Sequence, residues 1–238
     1  MDERAPEEGV IKFRARHREE RLPVSRFGAL AAQLSSWREI LACLDVLGED
    51  PARYGGAGFG NVSGRIGPFP GARGARPFLI TGTQTGGKRC VTLDDYCVVT
   101  RYDVSANAVD SHGAVLPSSE SLTHGALYDL APHIRFVLHA HAPLLFRRAR
   151  ALRLPTTSPA VAYGTPEMAD EVQRLYRETA LSELQVLAMS GHEDGVVTFG
   201  RSADEAGQVF LRYLARAFEA ACAERGELCR GDAALKSR

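Results

Sequence analysis

Two histidines separated by one residue in a β-prone run, His139-Ala140-His141, are the side chains best placed for chemistry in this 238-residue chain. Successive strand residues point to opposite faces, so both imidazoles project to the same side with Cα atoms roughly 6.6 Å apart, and both can reach one metal ion. Three nitrogen ligands with an open fourth position mark a catalytic rather than a structural zinc site, so a third donor must come from elsewhere. His192 is the best candidate, in the polar turn Ser190-Gly191-His192-Glu193-Asp194-Gly195 between apolar runs at 184–189 and 196–199. The ordinary alternative is a pair of hydrogen-bonded core histidines and a solvated turn histidine; the i, i+2 repeat at the end of an apolar strand argues against it for the first two. His17 in a charged stretch, His112 and His133 beside turn formers, and His124 on a helix are weaker candidates.

Pro117-Ser118-Ser119-Glu120 opens a helix predicted to run to Leu130, with Ser118 or Ser119 as its cap. Glu120 and His124, four residues apart, share a face of that helix. An acid near a metal is a natural proton shuttle; taken alone, Glu120 is an ordinary first-turn glutamate that complements the helix dipole. Ser118, Ser119, the N–H groups of the helix start and the glycine turns around Asn61 and Thr85 can hold an anion such as phosphate, or serve only as turn and cap chemistry.

The elements that must position these residues follow from periodicity. Leu30, Leu34, Trp37, Ile40, Leu41, Leu44 and Leu47 recur at helical spacing and predict an amphipathic helix over 26–47, stopping before Gly48 and Pro51. Short β-prone runs at 60–66, 78–81, 96–102 and 135–140 read as strands, with the glycine-dense turns at 55–87 between the first of them. The runs on either side of His192 predict a hairpin. A helix is predicted over 168–176, and a last one opens at Ser202, where Ser202 and Glu205 have capping-box spacing. The expected organisation is an Arg- and Glu-rich arm at 1–25, in which Val10, Ile11 and Phe13 could dock as a short strand, then one domain at 26–228 and a tail at 229–238.

Composition narrows the function classes. An apolar fraction of 45% and a charged fraction of 24% describe a globular chain with a substantial core. Lys plus Arg and Asp plus Glu both number 29, and no basic stripe with interleaved aromatics offers a nucleic acid a surface. The first eight residues are acidic rather than basic and then apolar, and no apolar run approaches the roughly 20 residues of a membrane span, so a cytoplasmic protein is expected. Five scattered cysteines, Cys43, Cys90, Cys97, Cys222 and Cys229, include no C-x-x-C and read as reduced thiols.

Taken in order, Gly60-Asn61-Val62-Ser63-Gly64, Leu79-Ile80-Thr81 with its glycine-rich turn, Pro117-Ser118-Ser119-Glu120, His139-Ala140-His141 and His192 resemble the class II aldolase/adducin family, its fuculose-phosphate aldolase-like members included, over 30–218. His124-Gly125-Ala126-Leu127-Tyr128, Tyr163-Gly164-Thr165-Pro166-Glu167 and the 19-residue interval from Glu120 to His139 support the match. The resemblance implies an α/β fold, a three-layer α/β/α sandwich around a mixed, largely antiparallel sheet, assembled as a homotetramer with active sites between subunits. It implies zinc, or Fe2+, Mn2+ or Co2+, on His139, His141 and His192, and phosphate contacts at Asn61, Thr85, Gly86, Ser118 and Ser119. The metal then acts as a Lewis acid that stabilises an enediolate, while Glu120, its pKa raised toward working pH by apolar surroundings, moves the proton.

The expected activity is that of an aldolase-type lyase on a small hydroxylated carbonyl compound, with sugar phosphates among the candidates. Alternatives on the same fold are a sugar-phosphate dehydratase or epimerase, an iron-dependent oxygenase, and a non-catalytic adducin-like binding module. The sequence departs from the family pattern at the lengthened turn from His192 to Gly195. It also has Thr156, Thr157 and Ser158 where the aldolases place a tyrosine, leaving Tyr163 the nearest substitute, and no aromatic residue after Gly226.

Overall fold

A computed structural model describes residues 9–225. Residues 1–8 of the expected arm and the expected tail at 229–238 lie outside the described residues.

The elements run β1 (Arg14–Glu19), α1 (Val24–Cys43), β2 (Gly48–Glu49), β3 (Gly58–Phe59), β4 (Asn61–Arg65), β5 (Phe78–Thr81), β6 (Tyr96–Asp103), β7 (Ala108–Gly113), α2 (Ser121–Leu130), β8 (Phe136–His141), α3 (Pro143–Arg148), α4 (Pro166–Glu178), α5 (Leu181–Leu184), β9 (Val186–Ala188), β10 (Gly195–Gly200) and α6 (Ala203–Arg225). Eight strands form one sheet in the order β1-β7-β6-β5-β4-β8-β10-β9. Within this sheet β1 and β7 pair in parallel, and the other neighbouring strands pair antiparallel.

Alternation along the strands builds two cores. Leu79, Leu138 and Val196 join Leu34, Leu41 and Phe210 beneath α1 and α6. Phe78, Ile80, Val137 and Val197 face the other way and pack with Leu122, Leu127 and Val172 of α2 and α4. This is the expected α/β sandwich with a mixed, largely antiparallel sheet. No helix among the described residues is long and apolar enough to cross a membrane.

The arm expected at 1–25 needs correction. Residues 14–19 are an edge strand of the main sheet, so the docked strand falls immediately after the expected Val10, Ile11 and Phe13, with Phe13 buried just before it. An edge strand whose side chains are nearly all solvated carries no apolar period to read. Helix α1 starts two residues early, behind Pro23, and ends at Cys43; Leu44 and Asp45, the latter at φ 56°, turn the chain so that Leu47 reaches the core from a loop. The hairpin around His192 is β9–β10. At the start of α6 the Glu205 N–H donates to Ser202 Oγ at 3.0 Å, and the Glu205 carboxylate accepts from the Arg201 N–H at 2.7 Å, one residue ahead of the expected reciprocal partner.

Candidate metal centre

His139 and His141 share the face of β8 that carries Val137, the face covered by α2 and α4. Neighbouring strands fix their positions: Asn61 of β4 and Val197 of β10 flank His139, and Gly195 lies opposite His141. His192 enters from the β9–β10 turn, closed by the His192 N–H donating to Met189 O at 2.9 Å and the Gly195 N–H to His192 O at 3.0 Å. Gly191 makes this placement possible, because a Cβ there would stand 1.8 Å from the Val161 carbonyl oxygen. The backbone of the 159–163 loop thus packs directly on the turn.

The three imidazoles offer ligand atoms that lie within 4.8 Å of one another, and all three side chains are buried. Burial is the first cause that pushes His141 well below its ordinary value, helped by the positive fields of His192, His139 and Arg53, so its ring is neutral and a competent donor. Three buried imidazole nitrogens converging on one point fit a divalent ion of the zinc type. Tyr163 stacks on the His192 ring with centroids 4.4 Å apart, and the ammonium of Lys12 sits 3.6 Å from the Tyr163 ring centroid.

Glu120 completes the centre. Its Oε1 lies 3.0 Å from His192 Nδ1 and 3.7 Å from His139 Nε2, and the residue is only 1% exposed. Burial by itself raises the carboxyl, but the positive fields of His139 and His192, a hydrogen bond from His192 and the field of His124 outweigh it and bring the group down to about 2. The direction is opposite to the expected one, because Glu120 faces His139 and His192 closely enough for their charge, when they carry it, to outweigh burial. Glu120 is also the helix cap position itself, with no side-chain cap; Ser118 Oγ accepts the Glu120 N–H at 3.3 Å, so neither serine caps α2 as expected.

Beneath the acid lies a buried polar chain. Ser63 Oγ is 2.6 Å from His124 Nδ1 and 2.6 Å from Tyr128 Oη. Burial, ahead of the opposing field of Glu120, drives His124 down to about 3 and keeps it neutral.

The five residues read as anion contacts, Asn61, Thr85, Gly86, Ser118 and Ser119, line one small cleft together with Gly9, Gly58, Gly60, Gly82, Thr83 and Gln84. It abuts the histidines, since Asn61 is the strand partner of His139 and Ser119 precedes Glu120. Asn61 Oδ1 is buried without a hydrogen-bond partner. The turn is held from behind by Arg38 of α1, which is 1% exposed and donates to the carbonyls of Thr85, Gly86 and Lys88 at 2.7, 3.0 and 2.8 Å. Sequence reasoning misses Arg38, Ser63 and Tyr54, whose ring lies against His141 at 4.5 Å between centroids. Arg38 has a signal available, an arginine on the same helical stripe as Leu34 and Leu41.

A roomier cavity of about 680 Å³ lies at the β1 edge beside Arg16, Arg73, Arg101 and Asp129, away from the histidines. Its acids and arginines offset one another, Arg16 against Asp110 at 2.6 Å for example, and chemistry points to the smaller cleft.

Comparison with known proteins agrees with the fold. The chain resembles the crystal structure of L-fuculose-1-phosphate aldolase from Thermus thermophilus at 20% identity and a TM-score of 0.59, over 87% of this chain and 99% of that one. It resembles a sugar-phosphate aldolase from Thermotoga maritima at 15% identity and a TM-score of 0.61, over 84% and 98% of the two chains. YgbL from Escherichia coli, described as a putative aldolase/epimerase/decarboxylase, aligns at 16% identity and a TM-score of 0.57, over 79% and 86%. A search of curated protein sequences gave no match. The family model for the Class II Aldolase and Adducin N-terminal domain matches residues 50–222, a span that holds the three histidines, Glu120 and the whole of the small cleft but for Gly9, and the chain belongs to that family.

Proposed function

We propose that this chain is a metal-dependent, aldolase-type lyase acting on a small hydroxylated carbonyl compound, with a sugar phosphate as the favoured substrate class. The observation that carries the reading is the contiguity of three elements: the His139/His141/His192 cluster, the Glu120 carboxylate 3.0 Å from one of those histidines, and the glycine- and serine-lined cleft one strand away. Zinc is the proposed ion, with Fe2+, Mn2+ and Co2+ as alternatives, and the proposed assembly is a cytoplasmic homotetramer with sites at subunit interfaces.

A divalent ion on the three histidines supplies positive charge that polarises a substrate carbonyl. The chain's own residues do the rest. Asn61, Thr85, Gly86, Ser118 and Ser119 hold an anionic end of the substrate and so fix the distance of its carbonyl from the histidines. In the cleavage direction Glu120, ionised at neutral pH, takes the proton of the hydroxyl that becomes the aldehyde as the carbon–carbon bond breaks and delivers it to the carbon left beside the carbonyl; condensation runs the same transfer in reverse, from that carbon to the new hydroxyl oxygen. The Tyr163 ring stacked on His192 and the buried setting of Glu120 keep bulk water from competing for that proton.

Metal-stripped protein reconstituted with Zn2+, Mn2+, Co2+ or Fe2+ should cleave at least one member of a panel of ketose phosphates that includes L-fuculose 1-phosphate, read as released aldehyde. No cleavage with any ion, together with oxygen uptake by the iron form on aromatic acids, rejects the lyase in favour of an oxygenase. Epimerised or dehydrated product without cleavage assigns the neighbouring reactions that begin from the same proton abstraction.

A further inference from the structure

The lengthened turn after His192 is tied to the far side of the metal centre by one side-chain bond. Tyr54 Oη donates to Asp194 Oδ2 at 2.8 Å, across 140 residues of sequence. The Tyr54 ring meets the His141 ring edge-on with centroids 4.5 Å apart. Arg53 Nη2 donates to Tyr54 Oη at 2.9 Å and to the His141 carbonyl at 3.4 Å, and the Ala142 N–H donates to Asp194 O at 2.9 Å. Tyr54 therefore touches one histidine of the cluster directly and reaches, through Asp194, the turn that carries another.

Both partners have left-handed backbone. Tyr54 has φ 49° and Asp194 has φ 59°, the region that glycine, asparagine and aspartate enter more readily than a tyrosine does. Such conformations are costly and persist where the surrounding structure over-determines them. Here the extra length of the turn, Glu193-Asp194, is what brings a carboxylate within reach of the phenol.

We infer that Tyr54 and Asp194 form a positioning clamp that sets the orientation of the His141 and His192 imidazoles relative to each other, and so governs how tightly this chain holds its metal. The inference rests on the reading of His139, His141 and His192 as the metal site. Neither clamp residue is a ligand: the Asp194 carboxylate is engaged by Tyr54, and Tyr54 meets His141 through its ring.

The test is a Co2+ titration of metal-stripped protein, with affinity taken from chelator competition and geometry from the visible absorption of the bound ion. Tyr54→Phe and Asp194→Ala should each weaken Co2+ about 10-fold or more and alter the band, as removal of a group that orients a ligand does. The double variant should bind no more weakly than the weaker single, because both remove the same bond. Asp194→Asn keeps an acceptor oxygen and should bind as the wild type does. Asp194→Gly relieves the backbone strain and should match Asp194→Ala in affinity while unfolding, metal-free, at no lower temperature than the wild type. Unchanged affinity and spectra in the singles, additive losses in the double, or wild-type affinity in Asp194→Gly overturns the clamp and leaves the histidine site standing. Equal Co2+ binding by wild type and His139→Ala removes the metal site, and the clamp with it.

Discussion

Glu120 Oε1 lies 3.0 Å from His192 Nδ1, a buried carboxylate against a buried imidazole. The acid is ionised near neutrality, so in the proposed mechanism its first act is to accept a proton. Glu120→Gln keeps the shape and loses the basicity. We expect kcat to fall by about 10²-fold or more, the usual worth of a general base, with metal content unchanged. Turnover of the metal-loaded variant and elemental analysis check this together; a variant that turns over at the wild-type rate removes Glu120 from the mechanism.

Acid sensitivity should trace in part to His124, together with the buried His141. Its folded value, about 3, lies below the ordinary 6.5, so the unfolded chain takes up a proton that the folded chain refuses. The neutral histidine's contribution is complete above pH 6.5 and is lost as pH falls from there toward 3. Calorimetry of metal-free protein across that window should show Tm falling with acidity, and His124→Asn, which cannot titrate, should show a shallower fall. Parallel curves would falsify the assignment.

Gly191 carries a steric prediction. A Cβ 1.8 Å from the Val161 carbonyl oxygen has no flexible neighbour to displace, so Gly191→Ala must push the 159–163 loop and the His192 turn apart. The expected loss is about 1–3 kcal/mol of stability, the range of overpacked cores, accompanied by a drop in metal occupancy as His192 moves. Denaturant unfolding and metal content measured on the same preparation test the pair of effects; loss of stability with full metal retention would detach the loop from the site.

Asn61→Asp probes the cleft. The substitution keeps size but places a negative charge where the anionic end of the substrate is proposed to sit. KM for a phosphorylated substrate should rise about 10-fold or more, a penalty of roughly 1.4 kcal/mol, with little change for the unphosphorylated analogue. Equal effects on both substrates would assign Asn61 to His139, its strand partner, rather than to the anion.

The sequence shows parts of this site clearly and hides others for physical reasons. His139 and His141 are legible because a period of two is a property of any strand. His192 has no such local signature, and its place depends on the β9–β10 hairpin and on Gly191 packing against a loop 30 residues earlier. The direction of the Glu120 shift is hidden because its sign depends on which histidines face a buried acid, and the two that matter most come from β8 and the hairpin turn rather than from its own helix. Tyr54 and Asp194 are invisible as a pair, because a bond between two loops follows from tertiary closure. Arg38 sits in a predicted helix, but its acceptors are backbone carbonyls, which every residue possesses.

The parallel edge strand β1 bears on how the molecule meets its neighbours. Arg14, Arg16 and Arg18 alternate with Ala15 and His17 along it, and nearly all of it is exposed. An incoming strand would have to displace these charged side chains, two of which are held by Asp110 and Glu20, which discourages pairing. At the opposite border β9 is three residues long and is already bridged at Ala188 by Thr156. Both margins of the sheet are thus guarded against adventitious strand addition and fibre growth.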